Sequence, residues 1–231
     1  MLESKGIITN LQKRVLTVFS QIPDSPHFYL TGGTALSNFY LGHRLSYDLD
    51  FFTSESDLIP PFSNAMQAGL EKSGFSVTAV RKFQTFAEFK LTERKETTTI
   101  HLAYDSPFRF SPPVDSVFGV KVNDYTDIII DKLLTLFGRA EPRDAVDLFF
   151  ILKKEDFWKL LELAPQKDPG FDLYWLAVAF EKVRDFPDEI EQWPVDMLVE
   201  VNARELKSKF LTLAAEIMDK IKGIREDRNR D

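Results

Sequence analysis

The chain has no cysteine among its 231 residues. Disulfides and thiolate metal sites are therefore excluded, and a reducing compartment is suited. No apolar run approaches the roughly 20 residues that a membrane helix needs. The opening stretch "MLESKGIITN" lacks the charged-then-apolar pattern of a secretory signal. The expectation is a soluble, cytoplasmic protein without a membrane partner. Positive charge is also short: 29 Lys and Arg stand against 36 Asp and Glu, a net charge of −7. That balance argues against a broad nucleic-acid-binding surface, although it leaves room for a local basic patch. Histidine occurs three times, and His27 and His43 read as structural. What the chain has in plenty is apolar bulk. A hydrophobic share of 44% with 21 phenylalanines can fill the core of one large domain or two small ones.

No internal repeat or low-complexity segment interrupts the chain. Apolar spacing predicts a helix over residues 5 to 20, with Ile8, Leu11, Val15, Val18 and Phe19 on one stripe. "HFYLT" is short and β-prone, so it reads as a strand. Gly32 and Gly33 open a short helix that closes near Gly42. "LSYDLDFF" alternates and reads as a strand. Pro60 and Pro61 suit the first turn of a helix that stops near Gly74. "FSVTAVRKFQTFAEFKL" and "TTTIHLAYD" read as strands. Beyond "PFRFSPPVDS" the pattern becomes helical, with two helices over 126 to 154 separated at "GRAEPRD". Further helices are expected over 155 to 164, 171 to 184 and 195 to 224, and the charged tail "REDRNRD" is expected to fray. The fold class expected is α+β: an α/β region over 1–125 and an all-helical region over 126–231.

The chemistry concentrates in "FYLTGGTALSNFYLGHRLSYDLDFF", residues 28 to 52. On a strand, Ser46, Asp48, Asp50 and Phe52 share one face, while Leu45, Tyr47, Leu49 and Phe51 share the other. The second is a core face. The first sets two carboxylates close together, and hard cations such as Mg²⁺ bind such oxygen clusters, completing their shell with water and phosphate oxygens. The bland alternative is a solvated strand face. Glycines between a strand and a helix let backbone N–H groups approach an anion, and a helix N-terminus favours negative charge. A phosphate cradle followed by a metal-binding strand is what nucleotide transfer requires.

"GGTALSNFYLGHRLSYDLDFF" resembles the signature of AbiEii/AbiGii-type nucleotidyltransferases, toxin-like members of the DNA polymerase beta superfamily. "DKLLTLFGRAEPRDAVDLFFI" is similar to that family's second block, a Lys-Leu helix followed by Arg-Asp-x-x-Asp-Leu. The resemblance implies a polymerase-beta-like nucleotidyltransferase sheet followed by helices. It implies transfer of a nucleoside monophosphate from an NTP to an acceptor hydroxyl with Mg²⁺, or alternatively Mn²⁺. The acceptor in such a family can be RNA, including tRNA ends, and a cognate antitoxin is an implied partner. Residue by residue, Gly32, Gly33 and Thr34 would hold triphosphate oxygens, and Asp48 and Asp50 would ligate metal. Arg44 would anchor the carboxylate strand or contact phosphate, and Ser46 precedes the carboxylates in the motif. Lys132 would meet the triphosphate. Arg143, Asp144 and Asp147 match the closing block, with Asp144 the favoured catalytic residue.

One position departs from the pattern. Such sites recruit a third carboxylate from a later strand, and in "TTTIHLAYD" the acid falls on His101. Either His101 replaces it, or Asp105 serves from the strand end, or the chemistry is weakened. Two other functions stay open: a small-molecule nucleotidyltransferase of the aminoglycoside-modifying kind, and a catalytically weakened nucleotide-binding or partner-binding protein.

Overall fold

The structure is a computed structural model that describes residues 1–228. The described residues divide into two compact units, the first over 1–128 and the second from 129 onward. In the first unit a mixed sheet is built from β1 (Tyr29–Thr31), β2 (Asp48–Thr53), β3 (Ser76–Lys82), β4 (Phe86–Glu93), β5 (Glu96–Tyr104), β6 (Val114–Asp115) and β7 (Lys121–Val122). The strand order is β3-β4-β5-β2-β1-β7-β6. The pairs β2–β5 and β1–β7 are parallel and the others antiparallel. The alternation read from the sequence segregates as the pleat requires. Leu49, Phe51, Ala87, Phe89, Leu91, Ile100 and Leu102 are all buried.

That apolar face packs with α1 (Asn10–Phe19) and α3 (Ile59–Lys72). The first helix starts later than its apolar stripe suggests because Thr9 and Gln12 form a capping box. Thr9 Oγ1 accepts from Gln12 N and Gln12 Oε1 accepts from Thr9 N, which satisfies two otherwise orphaned donors. Phe19 lies at the centre of this core. Its ring stacks on Phe51 at 3.7 Å and meets Phe28 and Phe62 edge-on at 6.2 and 5.2 Å. Gly32–Ala35 forms α2, whose last turn widens into a π-helical stretch over Leu36–Leu41. Gly42 closes it with φ of +73°, its N–H donating to Ser37 O at 2.8 Å.

The segment read as one long strand from Phe75 to Leu91 is a hairpin. It breaks at Phe83–Thr85, where Phe83 N donates to Phe86 O at 2.7 Å. The two-residue strands β6 and β7 are too short to leave an alternation in the sequence.

Helix α4 (Tyr125–Arg139) starts in the first unit and continues into the second, which adds α5 (Pro142–Ile151), α6 (Phe157–Lys167), α7 (Leu173–Glu181) and α8 (Ala203–Arg228). Asp156 and Asp172 cap α6 and α7 by accepting from Lys159 N and Trp175 N. Asn202 does the same for α8, accepting from Arg204 N and Glu205 N. That cap sets the start of the helix at 203 rather than the expected 195. Leu206, Phe210, Leu213 and Ile217 of α8 are buried, with Phe210 edge-on to Phe180 at 5.0 Å. Of the tail expected to fray, 225 to 231, the first four residues belong to α8, which extends to Arg228; residues 229–231 lie outside the described part.

Replacing Phe19 by Ala removes the ring that three other phenylalanines share, which costs about 3–5 kcal/mol. Urea unfolding should show this loss, and a loss below about 1 kcal/mol would mean that the aromatic core is not organised around Phe19.

Candidate active site

The strand β2 starts at Asp48, not at Leu45, and the reason lies in four successive carbonyls. Arg44 Nη1 donates to Leu45 O at 2.9 Å and Gln12 Nε2 to Ser46 O at 2.9 Å. Thr98 Oγ1 donates to Tyr47 O at 2.6 Å and Thr34 Oγ1 to Asp48 O at 2.5 Å. Side chains thus take acceptors that a neighbouring strand would otherwise use. The approach to the carboxylates is fixed from α1, α2 and β5 at once.

Antiparallel pairing of Thr31 with Asp50 then brings the start of α2 beside the Asp50 carboxylate. A β-carbon on Gly32 would fall 2.3 Å from Asp50 Oδ2, and Gly32 has φ of +70°. Both features demand glycine. A β-carbon on Gly33 would fall 2.7 Å from Arg44 Nη2 and 2.8 Å from Ser46 Oγ. Arg44 is buried, so it serves as the anchor behind the turn. Thr34 is also buried; its hydroxyl holds the Asp48 carbonyl. No side chain caps α2, which leaves its leading N–H groups as donors for a ligand.

Asp48 and Asp50 are half-buried on one face of β2. His101 stands opposite Asp50 in the parallel pair β2–β5, and its Nδ1–H donates to Asp50 Oδ1 at 2.8 Å. That hydrogen bond raises the imidazole pKa above its ordinary value; burial opposes the rise, and the charges of Asp50, Asp48 and Glu88 add to it. The sequence missed Glu88. It lies opposite His101 on β4, and the signal for it was a register that a single sequence does not print.

Asp105 is not brought to this pair. It follows the end of β5, four residues from His101, about 13 Å along a strand. Its carboxylate accepts instead from Tyr29 OH, Arg109 Nη2 and Ser106 N. Among the described residues no three His, Asp or Glu side chains form a ready-made metal cage. Two carboxylates on one face, facing a turn without a β-carbon, do fit a hard divalent cation that takes its other ligands from phosphate and water.

The second block forms its own cluster in the second unit. Asp144 and Asp147 are fully buried. Lys132 Nζ lies 2.7 Å from Asp147 Oδ2 and 3.8 Å from Asp144 Oδ1. Arg139, unassigned from the sequence, grips Asp144 with Nε and Nη2 at 2.7 and 3.1 Å. Arg143 Nε pairs with Glu141 at 3.0 Å. The Asp144 carboxylate is thus committed to a bidentate ion pair, which ties α5 to the end of α4 and argues against a proton-accepting role for it.

Two substitutions test these geometries. Gly32→Ala should cost about 1–2 kcal/mol for its left-handed backbone alone, and should also displace the Asp50 carboxylate. A crystal structure of Gly32→Ala with Asp50 unmoved would contradict the close approach. Lys132→Ala should cost about 3–5 kcal/mol, because it strands buried carboxylates. Urea melts showing a change under about 1 kcal/mol would return Lys132 to an ordinary surface pair.

Known proteins agree with this architecture. The family model for the nucleotidyl transferase AbiEii toxin of type IV toxin–antitoxin systems matches residues 14–198. An uncharacterized protein of Aquifex aeolicus is 30% identical over 145 residues, which are 59% of this chain and 62% of that protein, so the match spans less than two thirds of its length. Among solved structures, a putative nucleotidyltransferase from Helicobacter pylori superposes with a TM-score of 0.56 at 20% identity, covering 94% of this chain and 99% of that one. MenT4, a nucleotidyltransferase toxin from Mycobacterium tuberculosis, superposes with a TM-score of 0.56 at 16% identity, covering 90% and 82%. JHP933 from Helicobacter pylori gives 0.54 at 18% identity, covering 95% and 94%. At these identities the structures speak for a shared polymerase-beta-like fold. The family match extends over most of the chain and takes in both sequence blocks, so the chain belongs to the AbiEii nucleotidyl transferase toxin family.

Proposed function

We propose that the protein transfers a nucleoside monophosphate from an NTP to the terminal hydroxyl of an RNA, as the toxin of a toxin–antitoxin pair. The observation that carries this reading is the close approach of Gly32 to Asp50, which sets a glycine turn, open to a phosphate, against a carboxylate pair. The leading N–H groups of α2 would hold the triphosphate, with Gly33 backed by Arg44 and Ser46. Asp48 and Asp50 would hold a divalent cation, Mg²⁺ by the hardness of its oxygen donors. Its chemistry there is to neutralise charge on the phosphates as pyrophosphate leaves. In the transfer, the acceptor oxygen bonds to the α-phosphorus, the bond from that phosphorus to the pyrophosphate oxygen breaks, and the hydroxyl proton passes to water. His101 would orient Asp50 through its Nδ1–H. No described helix is long and apolar enough to cross a membrane. The absence of cysteine suits work in the cytoplasm, where RNA and NTPs are at hand.

The test is incubation with each α-labelled NTP and total RNA. Wild type should label RNA and should gain melting temperature with Mg²⁺ and NTP, while Asp48→Asn and Asp50→Asn should lose both. Either variant keeping the wild-type ligand shift would remove these residues from the metal site. Label on a small molecule instead of RNA would favour the small-molecule alternative.

A further inference from the structure

The register of the sheet carries the site outward. Cross-strand partners project from the same face, so the row through Asp50 continues to His101, Glu88 and Arg81. The row through Asp48 continues to Thr99, Lys90 and Thr78. On the far side of Asp50, Phe86 stands opposite Ala103, with Phe83 across the hairpin. The opposite face of β2, β5 and β4 is the buried core, while β3 is exposed along almost its whole length; on this face Phe83 is 64% exposed and Lys90 and Thr78 are also exposed.

This face has the groups that a single strand of RNA requires. Flat rings are present, with Phe86 stacked on His101 at 5.8 Å and 26° and Phe83 open beside them. Stacking on such rings is indifferent to base identity. Lys90 makes no ion pair among the described residues and stands between the hydroxyls of Thr78 and Thr99, suited to a phosphate and a 2′-OH. The turn between β4 and β5 adds Arg94 and Lys95, both exposed. Its two acids are turned elsewhere: Glu93 pairs with Arg14, and Glu96 accepts from Leu11 N at 3.2 Å. Glu88, in the row of Asp50, is matched by Arg81 at 3.3 Å, so in a chain of net charge −7 the cations left without an ion pair among the described residues on this approach are Lys90, Arg94 and Lys95.

We propose that the face of β5, β4 and β3 continuous with Asp48 and Asp50 is the docking platform for single-stranded RNA, the acceptor of the transfer. This rests on the transfer reading above and gives it a surface. Bases would stack on Phe83 and Phe86, and Lys90 would take a backbone phosphate, with the RNA end at the carboxylates.

The experiment measures fluorescence anisotropy of a labelled single-stranded RNA oligonucleotide, without NTP, across a salt series. Phe83→Ala removes an exposed ring and should leave the melting temperature unchanged, while weakening binding about 5- to 100-fold. Lys90→Ala should lower the slope of log affinity against log salt by about 0.7. No binding by wild type, or binding unchanged in both variants, overturns the proposal. So does displacement by poly-glutamate at equal charge, which would make the face a site for acidic peptide, and so does equal affinity for DNA of the same sequence. The same preparations with labelled NTP separate the two readings. Transfer to RNA that stays intact in both variants removes the platform and keeps the transfer. RNA binding that depends on Phe83 and Lys90, without any labelling by wild type, supports the surface and removes the transfer.

Discussion

The first unit depends on one contact in which a side chain is missing. Asp50 reaches the backbone of Gly32 so closely that a β-carbon there would overlap its carboxylate. The pairing of Thr31 with Asp50 places the two together, and the captured carbonyls of residues 45 to 48 keep β2 from sliding. A register slip of one residue would turn both aspartates into the core and Leu49 and Phe51 out of it. Packing on one face of the sheet therefore fixes chemistry on the other.

The two units hold similar acid pairs in different ways. In the second, Asp144 and Asp147 are buried with Lys132 and Arg139 as internal cations. In the first, Asp50 has His101, and the Asp48 side chain has no hydrogen bond or ion pair among the described residues, although its charge acts on His101. Two carboxylates on one strand face repel each other, and protonation or an added cation relieves that repulsion. The first pair is left short of positive charge where the second is neutralised from within. That difference in charge balance, more than the Asp-x-Asp spacing, favours an external cation at Asp48 and Asp50.

Much of this could be read in the sequence because it is local. Strand alternation put Asp48 and Asp50 on one face and Leu49 and Phe51 on the other, and two adjacent glycines marked the turn. What escaped depends on partners distant in the chain. Nothing local shows that Gln12, 34 residues before Ser46, fixes the approach to the carboxylates, or that Glu88 lies in the row of Asp50. Asp105 shares the strand parity of His101, yet sits at the wrong end of the strand. Arg139 looked like part of a helix break, and only folding of α5 against α4 shows it gripping Asp144. The burial of Asp144 and Asp147 was hidden for the same reason, because it follows from how α5 packs and not from the local spacing of charges.

The most direct test of the account is a crystal structure grown with Mn²⁺ and a non-hydrolysable NTP, with anomalous scattering used to locate the metal. The account predicts an Mn²⁺ peak ligated by Asp48 and Asp50, with triphosphate oxygens on the leading N–H groups of α2 at Gly32 and Gly33. Nucleotide bound in the crystal with its phosphates away from that turn, or metal ligated by neither aspartate, would contradict it.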